Sequence, residues 1–503
     1  MRLADLQPRT PASAHAVPAV WLSRIHSPEE ATRVLAGVAA GHPATAQIGV
    51  DVLAAGGSAA DGAVAAVLAS CVAETLLTGI SGGGYATYYD AASGTVTCLD
   101  FFVAIPGLDG TTAGPMTAVE VNFGGVPLEY AVGGASVAVP GVPAGCGELH
   151  SRWGRLPWRD VVEPAIKLAR HGAPLPEAQA RTLVSLAPVM LRGDGATIYA
   201  PDGRLLGGGD LLYHPGLDHA LSLLADEGPS VFYTGAMGKA TVDAAQASGG
   251  ALGHADLAGY RVVELPVASA QLGGYRVHGR TDLNRTVPTI AALPPLAGLT
   301  RAERAVCIAD ALRDVSRPRV GDTTNISVVD SDGDACVVTT TLGLGAGVWL
   351  PGLGVHLNSM LGEGELLTDD MQPGQRMSSM MCPLVVTGPA ADGAAAGHNG
   401  GLALAAGAAG ASRIRTALVH TLVGVLIDGL PPAEAIERPR FHVYNGVVHL
   451  EPGLPDDELD ALVKAGYPIH RWDGLNHYFG GSSAVGRTGA GGDPRRGGVG
   501  ITL

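Results

Sequence analysis

The chain has 503 residues with 47 acidic and 32 basic side chains, so its formal net charge at pH 7 is −15. This acidic balance, without a basic stripe, excludes a nucleic acid as the partner. Hydrophobic residues make up 47% of the chain, enough for a large buried core, and the six scattered cysteines show no metal-binding or disulfide spacing.

The N-terminal segment has no uninterrupted apolar stretch after its basic residue, so it does not resemble a secretory signal. The longest apolar window, 62–80, is interrupted by Glu74 and many alanines. A membrane span needs about 20 consecutive apolar residues, so this window is interpreted as a buried helix. We therefore expect a cytoplasmic protein without a membrane partner.

The first predicted elements follow from helical periodicity and glycine stops. A helix over 44–55 ends at a glycine pair, and Ser58 with Asp61 can form the capping box of a second helix that runs to about Glu74. A glycine-rich turn at 78–84 then opens a strand rather than a helix, which argues against a phosphate loop. Further helices are predicted at 143–153, 157–171, 216–226 and 235–249, with a short strand at 274–279.

The second half begins after an irregular stretch, 286–322, which contains one amphipathic helix at 301–315 and a basic, proline-containing linker at 312–320. Two alternating runs, 323–329 and 335–342, then flank an Asp- and Gly-rich turn and predict a β-hairpin. Later segments predict a strand at 383–387, a Gly/Ala-rich loop or linker within 388–411, and a helix at 413–429. Strands and helices in long blocks favour a layered α+β or α/β sandwich.

Thr323 stands where the linker ends and the first hairpin strand begins. A threonine hydroxyl is a weak nucleophile without a base, but the α-amine of the same residue, with a pKa near 8, can be that base at neutral pH. This chemistry requires a chain that begins at Thr323, and hence cleavage between Asp322 and Thr323. On these residues alone, the alternative that a Thr-Thr pair merely favours a strand stays open.

The sequence from about residue 42 to 498 resembles the γ-glutamyltranspeptidase family of N-terminal nucleophile hydrolases. Each segment is weak alone, whereas the ordered set is specific. The matching segments are GGSAADGAVAA (56–66), TGISGGGY (78–85), VPGVPAG (139–145), GRLPWRDVVEPAIKLARHG (154–172), VFYTG (231–235), DLAGYRV (256–262), DTTNISVVDSDGDA (322–335), QRMSSMMCP (375–383), GASRI (410–414), ERPRFH (437–442) and DPRRGG (493–498).

The resemblance implies an α+β fold, the four-layer αββα sandwich of the N-terminal nucleophile hydrolases. It also implies a proenzyme that cleaves itself just before Thr323. The products would be a large subunit, 1–322, and a small subunit, 323–503, which stay together as a heterodimer within one αββα domain. Thr323 would attack the carbonyl of a small-molecule substrate and form an acyl-enzyme, released to water or to an amine.

The resemblance also assigns companions to the nucleophile. Thr341 matches the family's second threonine, which hydrogen-bonds the nucleophile, and Ser378 with Ser379 matches a serine pair near the substrate. Gly410 and Ala411 match the diglycine whose backbone N–H groups form the oxyanion hole. Only backbone donors are needed there, so alanine at the second place is acceptable if its φ and ψ allow it.

Departures from the family are concentrated where the γ-glutamyl group would bind. Phe102 stands at the place of the arginine that clamps the substrate's α-carboxylate, and a bidentate arginine contact has no apolar substitute. Gly343 and Met360 replace an asparagine and a glutamine, whereas Glu363 keeps the acid that holds the α-ammonium group. Asn325 replaces a histidine that often follows the threonine pair. We therefore expect Phe102, Gly343, Met360 and Glu363 to shape the substrate site.

Three interpretations of function remain. The one we favour is a threonine hydrolase of changed specificity, acting on a less acidic or more apolar substrate. The resemblance suggests a biosynthetic enzyme, like relatives in alkylproline-type antibiotic pathways that are thought to cut a C–C bond beside a keto group. The second interpretation is a glutathione or γ-glutamyl hydrolase or transpeptidase with an unusual clamp. The third is an uncleaved, non-enzymatic binding protein.

No cofactor is implied by the sequence. Asp330, Asp332 and Asp334 alternate around a glycine, but the terminal Glu of a calcium loop is missing, so a solvated hairpin turn is expected. The sixteen histidines include no HExxH pattern, so no metal site is predicted either.

Overall fold

The structure is a computed structural model that describes residues 34–123, 126–313, 323–367, 370–389 and 400–503. Its helices are α1 (Pro43–Ala54), α2 (Ala59–Ala73), α3 (Val142–Trp153), α4 (Trp158–His171), α5 (Glu177–Met190), α6 (Gly195–Tyr199), α7 (Leu217–Glu227), α8 (Ala236–Ala247), α9 (His254–Gly259), α10 (Thr286–Ala292), α11 (Arg301–Leu312), α12 (Arg413–Leu426), α13 (Pro432–Glu437) and α14 (Asp456–Lys464).

The strands of the same described ranges are β1 (Gly37–Ala40), β2 (Gly83–Asp90), β3 (Thr95–Phe101), β4 (Thr117–Phe123), β5 (Val126–Val132), β6 (Ala173–Pro174), β7 (Leu211–Leu212), β8 (Val263–Leu265), β9 (Ala268–Leu272), β10 (Tyr275–Gly279), β11 (Thr324–Val329), β12 (Ala335–Thr341), β13 (Trp349–Leu350), β14 (Val355–His356), β15 (Leu384–Thr387), β16 (Leu402–Ala409), β17 (Phe441–Tyr444), β18 (Val447–Leu450), β19 (Ile469–Arg471), β20 (Gly481–Gly486), β21 (Gly489–Gly492) and β22 (Val499–Thr502).

Two antiparallel sheets form the centre of the molecule. Within the described ranges, one has the strand order β22-β1-β11-β12-β2-β3-β8 and the other β21-β20-β16-β15-β10-β9. Both sheets combine strands from before and after Thr323, and β1 lies between β22 and β11. The pieces of chain on either side of Thr323 are therefore interleaved in both sheets.

The alternation of the predicted hairpin explains how the layers meet. Ile326 and Val328 of β11 pack against the helix side of the first sheet, in a core shared with α2. Ala335 and Val337 of β12 face the second sheet and pack with a cluster that includes Val485. Because successive side chains of a strand point to opposite faces, one alternating run serves two buried interfaces.

Helices cover the outer face of each sheet and complete the αββα sandwich. Every residue of α2 is buried, and α1, α4 and α7 extend the same layer over the first sheet. On the other side, α10, α12 and α13 pack on the second sheet, and α11 with α14 packs outside them in the same apolar cluster. No helix in the described part of the chain is both long enough and apolar enough to cross a bilayer. The predicted α+β sandwich is confirmed.

Local signals in the sequence placed several elements correctly. Ser58 accepts a hydrogen bond from the Asp61 backbone N–H, and the Asp61 carboxylate accepts one from the Ser58 N–H, so the predicted capping box is present. The glycine-rich turn opens β2, a strand, as expected. The predicted helices at 143–153 and 157–171 correspond to α3 and α4.

Two expectations, the loop within 388–411 and the irregular start of 286–322, need correction. The Gly/Ala-rich stretch predicted as loop contains β16, every residue of which is buried between neighbouring strands and α12. Small side chains suit that crowded position, so a Gly/Ala-rich composition here indicates a buried strand and not a loop. Helix α5, which contains Pro188, and helix α10 were not predicted. Most of the predicted linker, 314–320, and Asp322 of the predicted cleavage site lie outside the described residues, so both stay predictions.

Candidate active site

Thr323 is the residue immediately before β11, a strand flanked on both sides within the first sheet. Its side chain is buried, and its Oγ1 accepts a hydrogen bond of 2.8 Å from the backbone N–H of Gly410. Its carbonyl accepts a 3.4 Å hydrogen bond from Arg496 Nη1. The hydroxyl, the carbonyl and the following strand are thus held from different directions.

Gly410 and Ala411 lie in the turn between β16 and α12, where Gly410 donates its backbone N–H to Thr323 and Ala411 lines the cavity beside it. Both have positive φ, 115° at Gly410 and 52° at Ala411. A Cβ at Gly410 would lie 2.8 Å from the Cα of Gly480, so no larger residue fits there. The first N–H groups of α12 are occupied, because those of Arg413 and Ile414 donate to the carbonyls of Gly410 and Ala411 at 3.0 and 3.1 Å and so fix the turn.

Thr341 lies at the end of β12, next to the predicted nucleophile. The antiparallel register pairs Thr324 with Thr340, which places Thr323 and Thr341 at the same end of neighbouring strands. Both line one cavity. The Thr341 Oγ1 accepts a 2.9 Å hydrogen bond from the N–H of Gly343, which fixes the turn that follows the strand.

A small cavity opens beside Thr323. Its walls are mostly apolar, and among the described lining residues Glu363 alone has an ionisable side chain. The lining residues are Phe102, Thr323, Thr341, Met360, Glu363, Leu366, Ser379, Met380, Met381, Ala411 and Ile414. The cavity therefore presents a largely apolar surface beside Thr323, which suits an apolar group better than a charged one.

Two predicted substrate residues are not part of this wall. Gly343 has a φ of 69°, and a Cβ there would lie 2.6 Å from the Tyr130 hydroxyl and 2.9 Å from Ser359 Oγ. Tyr130 and Ser359 thus occupy the space that a longer side chain at position 343 would need. Ser378 is half-buried and lies outside the cavity lining, whereas Ser379 is part of it.

Phe102 forms one wall of the cavity and is fully buried. Its ring stacks on the ring of Tyr85, with the centroids 5.5 Å apart. Tyr85 in turn contacts Arg280, whose guanidinium lies 3.8 Å from the centroid of the Tyr85 ring. The Phe102 carbonyl accepts a 2.7 Å hydrogen bond from the Tyr260 hydroxyl. A cation is therefore present, but it lies behind two aromatic rings and not at the cavity wall.

The same arginine also organises the wall around Ser379. Arg280 Nη1 donates to the carbonyls of Ser379, at 3.2 Å, and Met381, at 2.8 Å. Its Nη2 donates to Asp282 Oδ2 at 2.8 Å, and that same oxygen accepts the Ser379 N–H at 2.7 Å. The Arg280–Asp282 pair thus fixes the backbone of the methionine-bearing segment.

Glu363 provides the charge of the cavity. Its Oε1 is 3.5 Å from the hydroxyl of Tyr130, which is also 3.0 Å from Ser359 Oγ. Burial raises the pKa of the Tyr130 hydroxyl well above its usual range, and the nearby carboxylate adds to that shift. Tyr130 therefore stays protonated and can donate to the acid.

A buried acid, Glu74, contacts the residue that follows Thr323. Glu74 follows α2 and is fully buried, with Oε2 accepting a 2.5 Å hydrogen bond from Thr324 Oγ1 and Oε1 accepting a 2.8 Å one from Thr45 Oγ1. Burial raises the pKa of Glu74 to about 7, although the two hydroxyls and Arg496 lower it. This acid contacts the residue adjacent to the predicted nucleophile.

The arginine-rich motifs near the C-terminus form a buried ion network that carries Arg496. Asp493 Oδ2 accepts from Arg440 Nη2 at 2.5 Å, and Arg495 Nη2 donates to Glu451 Oε2 at 2.5 Å. Arg495 Nη1 also reaches Asp493 Oδ1 at 3.1 Å. All four side chains are at most 2% exposed, and Arg496 directly follows them in the chain.

The aspartates of the hairpin turn are held by protein groups. Arg155 Nη2 lies 2.7 Å from Asp332 and 3.6 Å from both Asp330 and Asp334. The backbone N–H of Ala59 donates to Asp330 at 3.0 Å. In the part of the chain that the structure describes, no group of three or more His, Cys, Asp or Glu side chains is arranged to hold a metal.

Several residues at the site were not singled out from the sequence. Met380 and Met381 were quoted only within a motif, and Tyr85, Arg280 and Asp282 carry no local signature because they come from separate strands and loops. Glu74 did leave a signal, since an acid at the end of an otherwise apolar helix must have buried partners. Its partners, Thr45 and Thr324, are far apart in the chain and could not be identified.

An αββα sandwich with a threonine at the start of a central strand, beside a small and mostly apolar cavity, is the architecture of the N-terminal nucleophile hydrolases, a class of enzymes. The family model described as gamma-glutamyltranspeptidase matches residues 45–296 and 300–503. The chain belongs to the γ-glutamyltranspeptidase family.

Relatives of this chain have two kinds of activity in their names. The chain is 28% identical to the acylase ACY 1 proenzyme of Pseudomonas sp. (strain V22), covering 86% of this chain and 87% of that protein. It is also 28% identical to glutathione hydrolase proenzyme 1 of Schizosaccharomyces pombe, covering 84% and 77%. The crystal structure of cephalosporin acylase from Bacillus halodurans shares the fold, with a TM-score of 0.74 at 21% identity over 97% of this chain and 99% of that one.

Proposed function

We propose that this chain cleaves itself between Asp322 and Thr323 and then hydrolyses acyl donors that are less acidic and more apolar than a γ-glutamyl group. The observation that carries the proposal is the cavity beside Thr323, which is lined by Phe102 and three methionines and has no basic side chain among its described lining residues. Asp322 itself lies outside the described residues.

The proposed reaction uses the groups around Thr323 in sequence. The α-amine freed by cleavage takes the hydroxyl proton as Oγ attacks the acyl carbonyl, and the N–H groups of Gly410 and Ala411 stabilise the oxyanion. The tetrahedral intermediate collapses as the leaving amine takes the proton, which leaves an ester on Thr323. Water, activated by the same amine, then releases the acid and restores the hydroxyl.

The charge of the cavity argues against a γ-glutamyl group as the preferred donor. Its α-carboxylate would lose its water shell beside Phe102 and would face the Glu363 carboxylate without an arginine. Charge-assisted hydrogen bonds contribute about 1.5–3 kcal/mol each, so the loss of a bidentate clamp is a large penalty. The 28% identity to an acylase supports a different acyl group, whereas the equally similar glutathione hydrolase keeps the alternative open.

A ketone is a second candidate substrate for the same groups. An alkoxide and an oxyanion hole act on a keto carbonyl as on an amide. In a β-diketone the C–C bond between the two carbonyls can then break, because the leaving carbon departs as an enolate that takes the proton from the amine, while the acyl group stays on Thr323 as an ester. The proposal therefore extends to cleavage of a C–C bond beside a keto group in a biosynthetic pathway such as antibiotic biosynthesis. The apolar lining supports this extension, since a diketone brings no charge into the cavity.

Self-cleavage is tested by denaturing electrophoresis of the purified protein. We expect two chains, corresponding to residues 1–322 and 323–503, and N-terminal sequencing of the smaller should give Thr-Thr-Asn. Thr323→Ala removes the hydroxyl and should leave one chain. Thr182→Ala is the matched control, because it removes a buried helical hydroxyl that donates to the Ala178 carbonyl away from the cavity. A single uncleaved wild-type chain after long incubation would support the non-enzymatic binding protein instead.

Donor preference is tested with three probes on the cleaved protein: γ-glutamyl p-nitroanilide, hexanoyl p-nitroanilide, and a β-diketone with the same alkyl chain. We expect kcat/KM for the hexanoyl donor to exceed that for the γ-glutamyl donor by at least about tenfold, from the lost clamp. Release from the γ-glutamyl probe at the greater rate would reject the changed specificity and favour the glutathione hydrolase interpretation.

A further inference from the structure

Glu74 is a buried acid that the proposed reaction does not use, yet it contacts the strand that carries the nucleophile. Its two carboxyl oxygens accept hydrogen bonds from Thr45 Oγ1 in α1 and Thr324 Oγ1 in β11, at 2.8 and 2.5 Å. A Cβ at Gly41 would collide with Glu74 Oε2 and lie 2.9 Å from Thr324 Oγ1. The carboxyl group is therefore tightly enclosed and its position is fixed.

Few other charges face this carboxyl group. Arg496 acts on it electrostatically and also donates to the carbonyl of Thr323 at 3.4 Å. Cys71 lies one turn earlier in α2, but burial raises the pKa of its thiol well above the usual range, so it is neutral. From α1 and β11 the facing groups are the threonine hydroxyls. Cleavage would add one further ionisable group to those of the described residues, the α-amine of Thr323, which lies one residue from Thr324.

We propose that the Glu74 carboxylate raises the proton affinity of the α-amine of Thr323 and thereby sets the lowest pH at which this amine can act as the catalytic base. Glu74 is thus a positioning residue that acts through Thr324 and through its charge. This inference rests on the proposed function, because the amine exists only after cleavage between Asp322 and Thr323.

The sign of the effect follows from electrostatics. A carboxylate favours the protonated, positively charged form of a neighbouring amine, so the amine loses its proton at a higher pH than it would alone. Since only the neutral amine accepts the hydroxyl proton, activity begins at correspondingly higher pH. Two charges a residue apart, in the range between a wet and a partly buried environment, shift a pKa by roughly 0.5 to 2 pH units.

A purely structural role would give a different result. If Glu74 only connected α1 to β11 through hydrogen bonds, the isosteric Glu74→Gln would alter stability and leave the pKa of the amine unchanged. The position of the amine titration therefore separates an electrostatic role from a scaffold role.

The test measures the α-amine directly and needs no known substrate. Cleaved protein is pulse-labelled with acetic anhydride across pH 5 to 10, and acetylation of the small-subunit N-terminal peptide is quantified by mass spectrometry. We expect the amine of Glu74→Gln to titrate at a pH lower by roughly 0.5 to 2 units than in the unmodified enzyme. Thr45→Val, which removes one donor that stabilises the carboxylate, should shift the titration in the same direction and by less.

Asp61→Asn is the matched control, because Asp61 is a fully buried acid of the same helix that accepts backbone N–H groups at its opposite end. It should not move the amine titration, whatever it does to stability. An unchanged titration in both Glu74→Gln and Thr45→Val would overturn the inference. Electrophoresis is run first: a single uncleaved chain would instead refute the proposed function, so the two failures are distinguishable.

Discussion

Gly410 and Ala411 both have a positive φ, but only position 411 has room for a side chain. At Gly410 the φ of 115° lies where non-glycine residues are strained, and Gly480 leaves no room for a Cβ. At Ala411 the φ of 52° is left-handed helical, a conformation that costs an L-residue about 1–2 kcal/mol. The chain retains this cost at the cavity wall, where strained backbone is often functional.

Exchanging the two residue types should have opposite results. Gly410→Ala should abolish self-cleavage, because the Cβ would displace the N–H that donates to Thr323 Oγ1. Ala411→Gly should leave cleavage intact and change stability by no more than about 1 kcal/mol, since relief of strain is offset by greater chain entropy. Cleavage is followed by electrophoresis and stability by thermal unfolding; normal cleavage in Gly410→Ala would contradict this assignment.

Site residues that belong to short sequence motifs could be predicted, whereas contacts between distant segments could not. Thr323, Thr341, Gly410 and Ala411 carry motif signals, and the structure brings all of them to one place. The presence of Phe102 in place of the family's arginine could also be predicted from the sequence. The stack of Phe102, Tyr85 and Arg280 could not, because its members come from β2, the end of β3 and the end of β10.

At the scale of elements, strands with clear alternation were predictable and crowded ones were not. The hairpin of β11 and β12 follows its period of two, and its register brings the two threonines together. After Leu402 and Leu404, β16 consists of alanine and glycine on both faces, so its alternation is too short to be detected. Gly407 in this strand shows the cause, since a Cβ there would overlap with Asn325 of β11.

The end of β10 should control substrate binding through Arg280. In Arg280→Lys a single ammonium group cannot reach Ser379, Met381 and Asp282 together, so the cavity wall should loosen. We expect KM for the hexanoyl donor to rise by roughly three- to tenfold with little change in self-cleavage.

Arg276→Lys is the control for this prediction, because Arg276 belongs to the same strand but is exposed. It should behave as the unmodified enzyme in both assays. An Arg280→Lys protein with an unchanged KM would show that the wall does not depend on the guanidinium.

At the scale of the whole molecule, the buried ion network joins the C-terminal segment to the rest of the second sheet. Asp493 accepts hydrogen bonds from Arg440, Arg495 and the Ser482 N–H. Removing one charge of such a network leaves others buried without compensation, which costs far more than an exposed pair contributes.

Asp493→Asn should therefore lower the free energy of unfolding by about 3–5 kcal/mol. Asp243→Asn, which breaks an exposed pair with Lys239, should lower it by less than about 1 kcal/mol. Both are measured by urea unfolding in the Thr323→Ala background, so that a single chain unfolds and refolds. Equal effects would show that the network is not the stabilising feature.

The interleaving of strands gives the proposed cleavage a lasting consequence. β1 lies between β22 and β11, so the two products cannot part without breaking the first sheet. Once both have unfolded, recovery requires two separate molecules, each with incomplete sheets, to find one another before they aggregate. Cleavage would thus make unfolding irreversible, because the protein folds only as a single chain. The lifetime of the cleaved enzyme would then be set by its rate of unfolding.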